Sequence, residues 1–415
     1  MSDPIVISGI GLVTAVGNDR ETTWRNVREG VSGARRLTGV AGLPDGLLLA
    51  ADVRGVKGEP GRLRDYPVGK LAAGEAIADS GLLAVRGVDR TRIGVTMAAV
   101  YGDSPRVAAV RAEQTPGFDP SAWHHEFLPS STISRIANDY GLFGPRIGNA
   151  TACATGTIAI ITAARAIEDG QCDAVLAGAI TTIQPLLAAG FHNMRVLAMH
   201  DDPAEACRPF DAARNGFVMG EGAGMLVLER ASSARARGAR IYAEIAAGTI
   251  ACDAHHVTDL STDSTTLTYL LGATLKKARL APSDVSYINA HGTGTQQNDL
   301  METRGIRNAF GAAADELCVS SIKGNIGHLV NAAGAVELAL TALALRDGYA
   351  PPTRNLSNPD PGCDLDCLPF VGRQYEFEHA MKISIAFGGH LAAIALRRWD
   401  GAEAQVAPAP MRIAA

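Results

Sequence analysis

Short apolar runs of strand length alternate along the chain with longer amphipathic or mixed stretches. Predicted strands occupy 5–10, 92–100, 173–180, 225–229, 241–249, 285–290, 317–321, 382–387 and 392–398. Predicted helices occupy 21–30, 67–81, 132–140, 154–168, 184–195, 231–238, 264–279, 298–310 and 330–346. Strands that alternate with helices are typical of an α/β fold with mainly parallel sheets. Two such series in succession indicate a duplicated, layered architecture.

The segment 144–170, GPRIGNATACATGTIAIITAARAIEDG, predicts a helix with Cys153 at its N-terminal mouth. This helix is apolar on every side, which favours a buried position. Unpaired backbone N–H groups and the helix dipole at such a mouth favour a thiolate, and a thiolate is the nucleophilic form of cysteine. The alternative is that Cys153 is a small core cysteine without a chemical role.

Polar or aromatic residues follow three of the later predicted strands. His291 comes directly after one strand, Lys323 and His328 follow the next, and Phe387 follows the strand KISIA. Sites in open α/β sheets assemble at the carboxyl ends of strands, so we expect these segments to meet Cys153 in one crevice. Each segment alone could be an ordinary turn, and their convergence is what favours a functional site.

Composition narrows the function classes. The chain has 415 residues, enough for two or three domains or for one large duplicated unit. A net charge of -5 gives no support for a nucleic-acid surface. The start of the chain lacks a signal sequence and no long apolar run follows, so we expect a soluble cytoplasmic protein without a membrane partner. Seven cysteines without a CxxC motif argue against a disulfide framework and a metal site.

Several motifs together carry a family resemblance. They are TACATG, HGTGT, SSIKGNIGHLVNAAGAVE, the terminal FGG and the central segment RPFDAARNGFVMGEGAGMLVLE. Over nearly the whole chain, the sequence resembles the beta-ketoacyl-ACP synthases, the condensing enzymes of fatty-acid and polyketide assembly. The resemblance implies a thiolase-like fold, a pseudo-duplicated five-layer α/β/α/β/α structure, and a dimer. We assign the cysteine-containing half to 1–250, the half with both histidines and the lysine to 251–400, and a disordered tail to 401–415.

The resemblance also implies residue roles. Cys153 would take an acyl chain delivered on the phosphopantetheine arm of an acyl carrier protein (ACP), so no resident cofactor is expected. His291 and His328 would bind the malonyl thioester carbonyl and promote loss of CO2. Lys323, paired with Glu337, would hold His328 in place. The other implied roles are an oxyanion hole from the N–H groups of Cys153 and Phe387, pantetheine binding by Thr293 and Thr295, gating by Phe387, and carrier-protein docking by Arg62, Arg64 and Arg208.

The implied reaction is a decarboxylative Claisen condensation of malonyl-ACP with the acyl chain on Cys153, which gives a 3-ketoacyl-ACP two carbons longer. The chain departs from the family pattern at Thr155, where Ser is usual, at Ala386, where Gly is usual, and at Leu391, where Asn is usual. From the last two we expect altered gating or acyl preference, because a methyl at Ala386 limits backbone freedom and Leu391 removes a polar contact.

These departures favour a type II polyketide or related secondary-metabolite pathway. Two alternatives stay open. One is a housekeeping fatty-acid elongating synthase, and the other is a catalytic subunit that is active only with a chain-length-factor partner. The dimer is accordingly expected to contain either two copies of this chain or one copy and such a partner.

Overall fold

A computed structural model describes residues 3–40, 44–58, 64–98 and 130–400. Arg62 and the predicted tail 401–415 lie outside these ranges. The strands are β1 Ile5–Thr14, β2 Arg35–Arg36, β3 Leu49–Ala51, β4 Ile93–Ala98, β5 Arg146–Asn149, β6 Ala174–Thr181, β7 Met219–Gly220, β8 Gly222–Arg230, β9 Ala243–Cys252, β10 Tyr287–Asn289, β11 Cys318–Ser320, β12 Tyr349–Ala350, β13 Arg373–Gln374, β14 His379–Ala386 and β15 His390–Arg398. The α-helices are α1 Arg20–Arg28, α2 Asp65–Ser80, α3 Ser131–Tyr140, α4 Thr155–Glu168, α5 Pro185–Asn193, α6 Ala231–Ala236, α7 Thr265–Ala278, α8 Gln296–Phe310, α9 Lys323–Ile326 and α10 Ala333–Asp347.

The main sheet has ten strands and consists of two halves with the same topology. Its order is β11-β10-β14-β15-β9-β1-β8-β6-β4-β5. When the five strands of each half are numbered along the chain, both halves read 3-2-4-5-1 from the outer edge to the centre. The halves join where β1 pairs with β9. This repeated order confirms the predicted duplication, and β9, the first strand of the second half, spans the predicted division at residue 250.

The prediction of mainly parallel sheets is wrong, because parallel and antiparallel strand pairs are mixed in the main sheet. In each half the three outer strands are parallel, as in β5-β4-β6 and β11-β10-β14. The other pairings in the main sheet are antiparallel. The strands β14 and β15 are joined by only Phe387–Gly389. A link this short cannot make the crossover that parallel strands need, so the second strand must run back along the first.

The two halves of the sheet face each other across two buried helices. Both α4 and α10 contact strands of each half. The outer face of the first half carries α2 and α3, and that of the second half carries α7 and α8. The layers therefore follow the order α/β/α/β/α, as the family resemblance implied. Within the described ranges, the helices lack the length and apolar character needed to cross a membrane.

Glycine allows the two central helices to approach each other closely. A Cβ atom at Gly156 of α4 would lie 2.7 Å from the backbone nitrogen of Ala335 in α10. A Cβ atom at Gly334 of α10 would lie 2.1 Å from the Oγ1 atom of Thr157. Both distances are too short for any side chain, so the helix contact requires glycine at these positions. This contact brings the N-terminus of α4, where Cys153 lies, beside α10.

Candidate active site

Cys153 lies in a short 3₁₀ turn, Ala152–Ala154, directly before α4. The preceding Ala152 has a φ of 46°, in the left-handed region that an alanine rarely adopts. Thr155 stabilises this turn, because its Oγ1 atom accepts a hydrogen bond from the Thr151 N–H at 2.9 Å and donates to the Ala152 carbonyl at 2.6 Å. Cys153 is thus at the helix mouth, as predicted, and Thr155 uses the hydroxyl that it shares with the usual Ser.

Cys153 meets both predicted histidines in the interior of the protein. The Nε2 atom of His328 lies 3.1 Å from the Sγ atom of Cys153. The rings of His291 and His328 are 5.2 Å apart and nearly perpendicular, at 82°. None of the three residues is more than 7% exposed. The structure therefore brings together three residues that lie in separate segments of the sequence.

Burial sets the protonation states of these groups. It raises the pKa of Cys153 to about 12, although the nearby charge of Lys323 acts in the opposite direction. Desolvation thus acts against the thiolate that the helix mouth favours. Burial, with a contribution from Lys323, also lowers the pKa of His291 and His328 well below the ordinary value. The resting site holds a neutral thiol beside neutral imidazoles, and His328 is placed to accept the thiol proton.

The backbone of His328 is held by the segment 218–220. Its N–H donates to the Val218 carbonyl at 2.7 Å, and its carbonyl accepts from the Gly220 N–H at 2.8 Å. The predicted ion pair between Lys323 and Glu337 is present, with an N–O distance of 2.6 Å. However, Lys323 donates its other hydrogen bond to the carbonyl of His291. The pair therefore contacts the backbone of His291, rather than holding His328 as the sequence analysis expected.

A second lysine, which the sequence analysis did not single out, completes this ionic cluster. Lys382 of β14 lies 2.7 Å from the other carboxylate oxygen of Glu337. Its Nζ atom also donates to the Ala290 carbonyl at 3.2 Å. The side chains of Lys323, Glu337 and Lys382 are fully buried. The signal in the sequence was a lysine inside an otherwise apolar strand, where an unpaired charge would be costly.

Two carboxylates of α8 hold the loop that carries His291. Glu302 accepts hydrogen bonds from the N–H groups of His291 at 2.6 Å and Gly292 at 2.7 Å. Asp299, one helical turn earlier, accepts from the Thr293 N–H at 3.1 Å. Burial raises the pKa of Glu302 to about 7. Neither residue was predicted as part of the site, because their only signal in the sequence is a pair of acidic residues three positions apart soon after HGTGT.

These groups open onto a pocket of about 520 Å³. Its described lining includes Cys153 with both histidines, and also Thr293, Thr295 and Phe387. The hydroxyls of Thr293 and Thr295 are 2.9 Å apart. The nucleophile and the residues assigned to pantetheine binding and gating therefore surround one cavity. The oxyanion hole, pantetheine binding and gating stay predictions.

A row of aromatic rings connects Phe387 with His328. The rings of Phe387 and Phe191 are 6.4 Å apart, those of Phe191 and Phe217 are 5.2 Å apart, and those of Phe217 and His328 are 5.1 Å apart. The last two contacts are edge-to-face, which is a favourable geometry for aromatic rings. Phe191 and Phe217 were not predicted as site residues, because an apolar residue in a loop or helix carries no chemical signal of its own.

The two departures near Phe387 lie at the end of β14 and the start of β15. Ala386 has a φ of -140°, an extended conformation that any residue adopts. The methyl group therefore causes no backbone strain there. Leu391 is 3% exposed and packs in the apolar core of the second half, opposite Ile385 and Ala251. Leu391 thus contributes to the packing of the sheet beside the pocket.

The arginines assigned to carrier-protein docking interact within the chain. Arg64 lies 2.9 Å from a carboxylate oxygen of the buried Glu221 and donates to the carbonyls of Val53 and Val56. Arg208 lies 3.0 Å from a carboxylate oxygen of Glu205 and also contacts His200. These interactions give Arg64 a role in the fold. Docking at the three arginines stays a prediction.

The chemistry of the catalytic cluster also fits a metal ion in principle. Cys153, His291 and His328 offer three ligand atoms within 4.8 Å of one another, and thiolate and imidazole are ligands that Zn²⁺ prefers. The absence of a metal requirement therefore stays a prediction, which metal analysis of the purified protein would test.

Comparisons with known proteins agree with this geometry. Residues 68–234 match the family described as "Beta-ketoacyl synthase, N-terminal domain", and residues 242–357 match "Beta-ketoacyl synthase, C-terminal domain". The chain is 35% identical to a 3-oxoacyl-[acyl-carrier-protein] synthase 2 of Staphylococcus aureus, across 95% of this chain and 98% of the relative. It is 34% identical to a synthase of the same name from Synechocystis sp., with the same coverage.

Solved structures similar to this chain include ketosynthases in complex with other proteins. A type II polyketide synthase acyl-carrier protein in complex with its ketosynthase has a TM-score of 0.88 at 30% identity, across 96% of this chain and all of that chain. The ishigamide ketosynthase/chain length factor has a TM-score of 0.85 at 28% identity, with the same coverage. The match of both family domains, together with the Cys-His-His cluster, shows that this chain belongs to the beta-ketoacyl synthase family and is a ketosynthase enzyme.

Proposed function

We propose that this enzyme condenses malonyl-ACP with an acyl chain carried on Cys153, in a type II polyketide or related secondary-metabolite pathway. The observation that supports this reaction most directly is the contact of Cys153 with His328, beside His291, in one buried pocket. A nucleophile with one histidine allows acyl transfer. The second histidine supplies another hydrogen-bond donor, which the decarboxylation needs.

The first step is acyl transfer. The Sγ atom of Cys153 attacks the thioester carbonyl of acyl-ACP, and its proton passes by way of His328 to the departing pantetheine thiol. The new thioester on Cys153 replaces the thioester that breaks, so the free energy change of the exchange is small. N–H groups of Cys153 and Phe387 would stabilise the tetrahedral oxyanion. Thr293 and Thr295 would hold the pantetheine arm by hydrogen bonds.

The second step joins the two substrates. Malonyl-ACP loses CO2, and the electron pair of the broken C–C bond forms an enolate whose oxygen accepts hydrogen bonds from His291 and His328. These bonds strengthen as negative charge develops, so they stabilise the transition state more than the ground state. The enolate carbon attacks the acyl thioester, the bond to Cys153 breaks, and the Cys153 thiolate takes up a proton. The product is a 3-ketoacyl-ACP two carbons longer.

Two observations bear on the pathway. The type II polyketide complex shares 30% identity and a TM-score of 0.88 with this chain over nearly its whole length. The departure at Ala386, which lines the pocket beside Phe387, further favours a specialised acyl chain. Fatty-acid elongation is the second candidate, since the synthase 2 of Staphylococcus aureus shares 35% identity.

The proposed partner is an acyl carrier protein, in a cytoplasmic setting. One of the similar structures contains an acyl-carrier protein bound to its ketosynthase, and another is a ketosynthase/chain length factor. Both a homodimer and a heterodimer with a chain-length-factor-like subunit are therefore compatible with these relatives. The intact Cys153, His291 and His328 indicate that this chain would be the catalytic subunit.

Mass spectrometry of the purified protein tests the reaction. The protein is incubated with acyl-ACPs of increasing chain length and then with malonyl-ACP. We expect acyl mass on Cys153 in the wild type and none in Cys153→Ser, followed by a 3-ketoacyl-ACP two carbons longer. The range of accepted chains then distinguishes fatty-acid elongation from repeated extension of polyketide intermediates.

The same experiment tests the partner. The protein alone could acylate Cys153 without condensing the acyl chain with malonyl-ACP. If adding a chain-length-factor-like subunit then restored condensation, the active form would be a heterodimer. No acylation under either condition would contradict the proposed function.

A further inference from the structure

The buried ionic cluster behind the histidines contains one more lysine than its shared carboxylate can neutralise. Lys323 and Lys382 lie on opposite oxygens of Glu337, at 2.6 Å and 2.7 Å. All three side chains are fully buried, so solvent does not screen them. Such an arrangement is costly unless each charge has further partners. The other groups that the two lysines contact therefore indicate what this cluster does.

Both lysines bind the backbone that leads into His291. Lys382 lies 3.5 Å from the Asn289 carbonyl and 3.2 Å from the Ala290 carbonyl. Lys323 donates to the next carbonyl, that of His291 itself. Three successive carbonyls thus face two ammonium groups that share Glu337. This arrangement leaves the end of β10 little freedom to move.

A fourth charged side chain, that of Glu302, binds the backbone of His291 on the N–H side. Glu302 accepts the N–H group of His291 at 2.6 Å. The backbone of His291 is therefore held at its carbonyl by a lysine and at its N–H by a carboxylate. With Glu302 counted, the cluster contains two lysines and two glutamates. Without Lys382, the cluster would have one excess negative charge when both carboxyls are ionised.

We propose that Lys382 is a positioning residue for decarboxylation, which holds His291 through the carbonyls of Asn289 and Ala290 and supplies positive charge behind the histidine pair. This inference rests on the proposed function, because decarboxylation is the step that develops negative charge beside His291. A fixed positive charge stabilises a developing enolate, particularly in a buried site. Acyl transfer to Cys153 depends chiefly on His328 and needs this charge less.

The variant Lys382→Met separates this role from a structural one. Methionine has a similar length and no charge. The ion pair of Lys323 with Glu337 is kept, and Glu302, whose pKa burial raises to about 7, can take up a proton, so the variant should fold. Lys277→Met is the matched control, because Lys277 also donates to a backbone carbonyl, that of Gly248, but on the outer helix α7. Three quantities are measured for each protein: the unfolding temperature, acylation of Cys153, and the rate of CO2 release from malonyl-ACP.

We expect Lys382→Met to acylate Cys153 at a rate within about threefold of the wild type and to release CO2 at least about tenfold more slowly. Lys277→Met should match the wild type in all three measurements. A Lys382→Met protein with wild-type CO2 release would overturn the proposal. A parallel loss of acylation, CO2 release and thermal stability would also overturn it, since the lysine would then be merely structural.

A pH profile provides a further readout. Burial lowers the pKa of Lys382 to about 8, opposed by Glu337. Wild-type CO2 release should therefore fall as pH rises through about 8, as Lys382 loses its proton, and the variant should lack this decrease. The charged groups that face Lys382 are Glu337, Lys323 and Glu302. Burial raises the pKa of Glu302 to about 7 and the charge of Lys382 opposes this rise, so Glu302 titrates at a higher pH in the variant than in the wild type. His291 and His328 stay neutral over this range.

The outcome for the wild type separates the two hypotheses. A wild type that takes up acyl chains but releases no CO2 from malonyl-ACP would contradict the proposed function, and this inference with it. An active wild type whose pH profile is identical to that of Lys382→Met would contradict the role of Lys382 alone.

Discussion

The Nε2 atom of His328 lies 3.1 Å from the Sγ atom of Cys153, and burial keeps both side chains neutral at rest. The nucleophile is thus stored as a thiol and becomes a thiolate only as its proton leaves. Such storage protects a catalytic cysteine from oxidation and alkylation, because the thiolate is the reactive form.

The pH dependence of Cys153 alkylation tests this resting state. Because the pKa is raised to about 12, the thiolate fraction should rise about tenfold per pH unit from pH 7 to pH 10. Iodoacetamide labelling followed by peptide mass spectrometry should show this slope at Cys153. Cys153→Ser corrects for labelling of other cysteines, including the exposed Cys252. A labelling rate that is already constant above pH 7 would indicate a resting thiolate instead.

The edge-to-face contact between Phe217 and His328 is expected to orient the imidazole. Phe217→Leu keeps an apolar side chain but removes the ring. The condensation rate should therefore fall about tenfold, while Cys153 should still be open to acylation. Steady-state formation of 3-ketoacyl-ACP measures the effect. Phe143→Leu is the control, since Phe143 is 62% exposed and should be neutral. Equal rates in both variants would show that the ring has no orienting role.

The substitutions beside the gate should affect acyl preference. Leu391→Asn places an amide in the apolar core of the second half, so we expect a loss of about 1–3 kcal/mol in the free energy of unfolding. Ala386→Gly should alter the range of acyl chains accepted on Cys153, because Ala386 lines the pocket next to Phe387. Urea unfolding and competition between acyl-ACPs are the measurements. Unchanged turnover and chain preference in both variants would remove the basis for this prediction.

The ion pair between Arg64 and Glu221 should make stability depend on pH. Burial raises the pKa of Glu221 from 4.5 to about 7. A raised carboxyl pKa contributes stability below the unfolded value, and this contribution is lost as pH rises through about 7. Arg64→Met leaves the carboxylate unpaired, so it should cost about 1–3 kcal/mol at pH 8 and less at pH 6. Urea unfolding at both pH values tests this, and adding Glu221→Gln should abolish the difference.

Carrier-protein docking is tested by comparing two acyl donors. Arg208→Glu and Arg62→Glu should raise the KM for acyl-ACP, because carrier proteins are acidic, and the effect should shrink at high salt. Acylation by a small acyl thioester should be unchanged, since that donor does not dock. Equal loss with both donors would assign Arg208 to the fold through its contacts with Glu205 and His200.

Much of the local structure follows from the sequence. The helix after Cys153, the helix before Asp347 and the strands before His291 and Phe387 lie within a few residues of their predicted bounds. Their apolar periodicity reflects burial on one face or on all faces, which is a local property of the chain. The meeting of Cys153, His291 and His328 was inferred from convergence at strand ends and from the family motifs.

Other features depend on contacts between distant segments. Apolar runs carry no information about strand direction. The strands β8 and β15 were therefore predicted, but their antiparallel direction was not. Lys382 and Glu302 became part of the site only when β14 and α8 packed against the loop of His291. Their acidic or basic character alone could equally indicate a solvated surface.

The sequence by itself predicted most of the elements and the duplication, because these are encoded in periodicity. Its motifs predicted Cys153, His291 and His328 as the reactive residues through the family resemblance. The tertiary structure decided the protonation state of Cys153 and the partners of Lys323. A pKa depends on the water and charge removed or added around a group, and those neighbours come from segments far away in the chain. At this helix mouth the dipole favours the thiolate, and burial by distant segments raises the pKa of Cys153 against that effect.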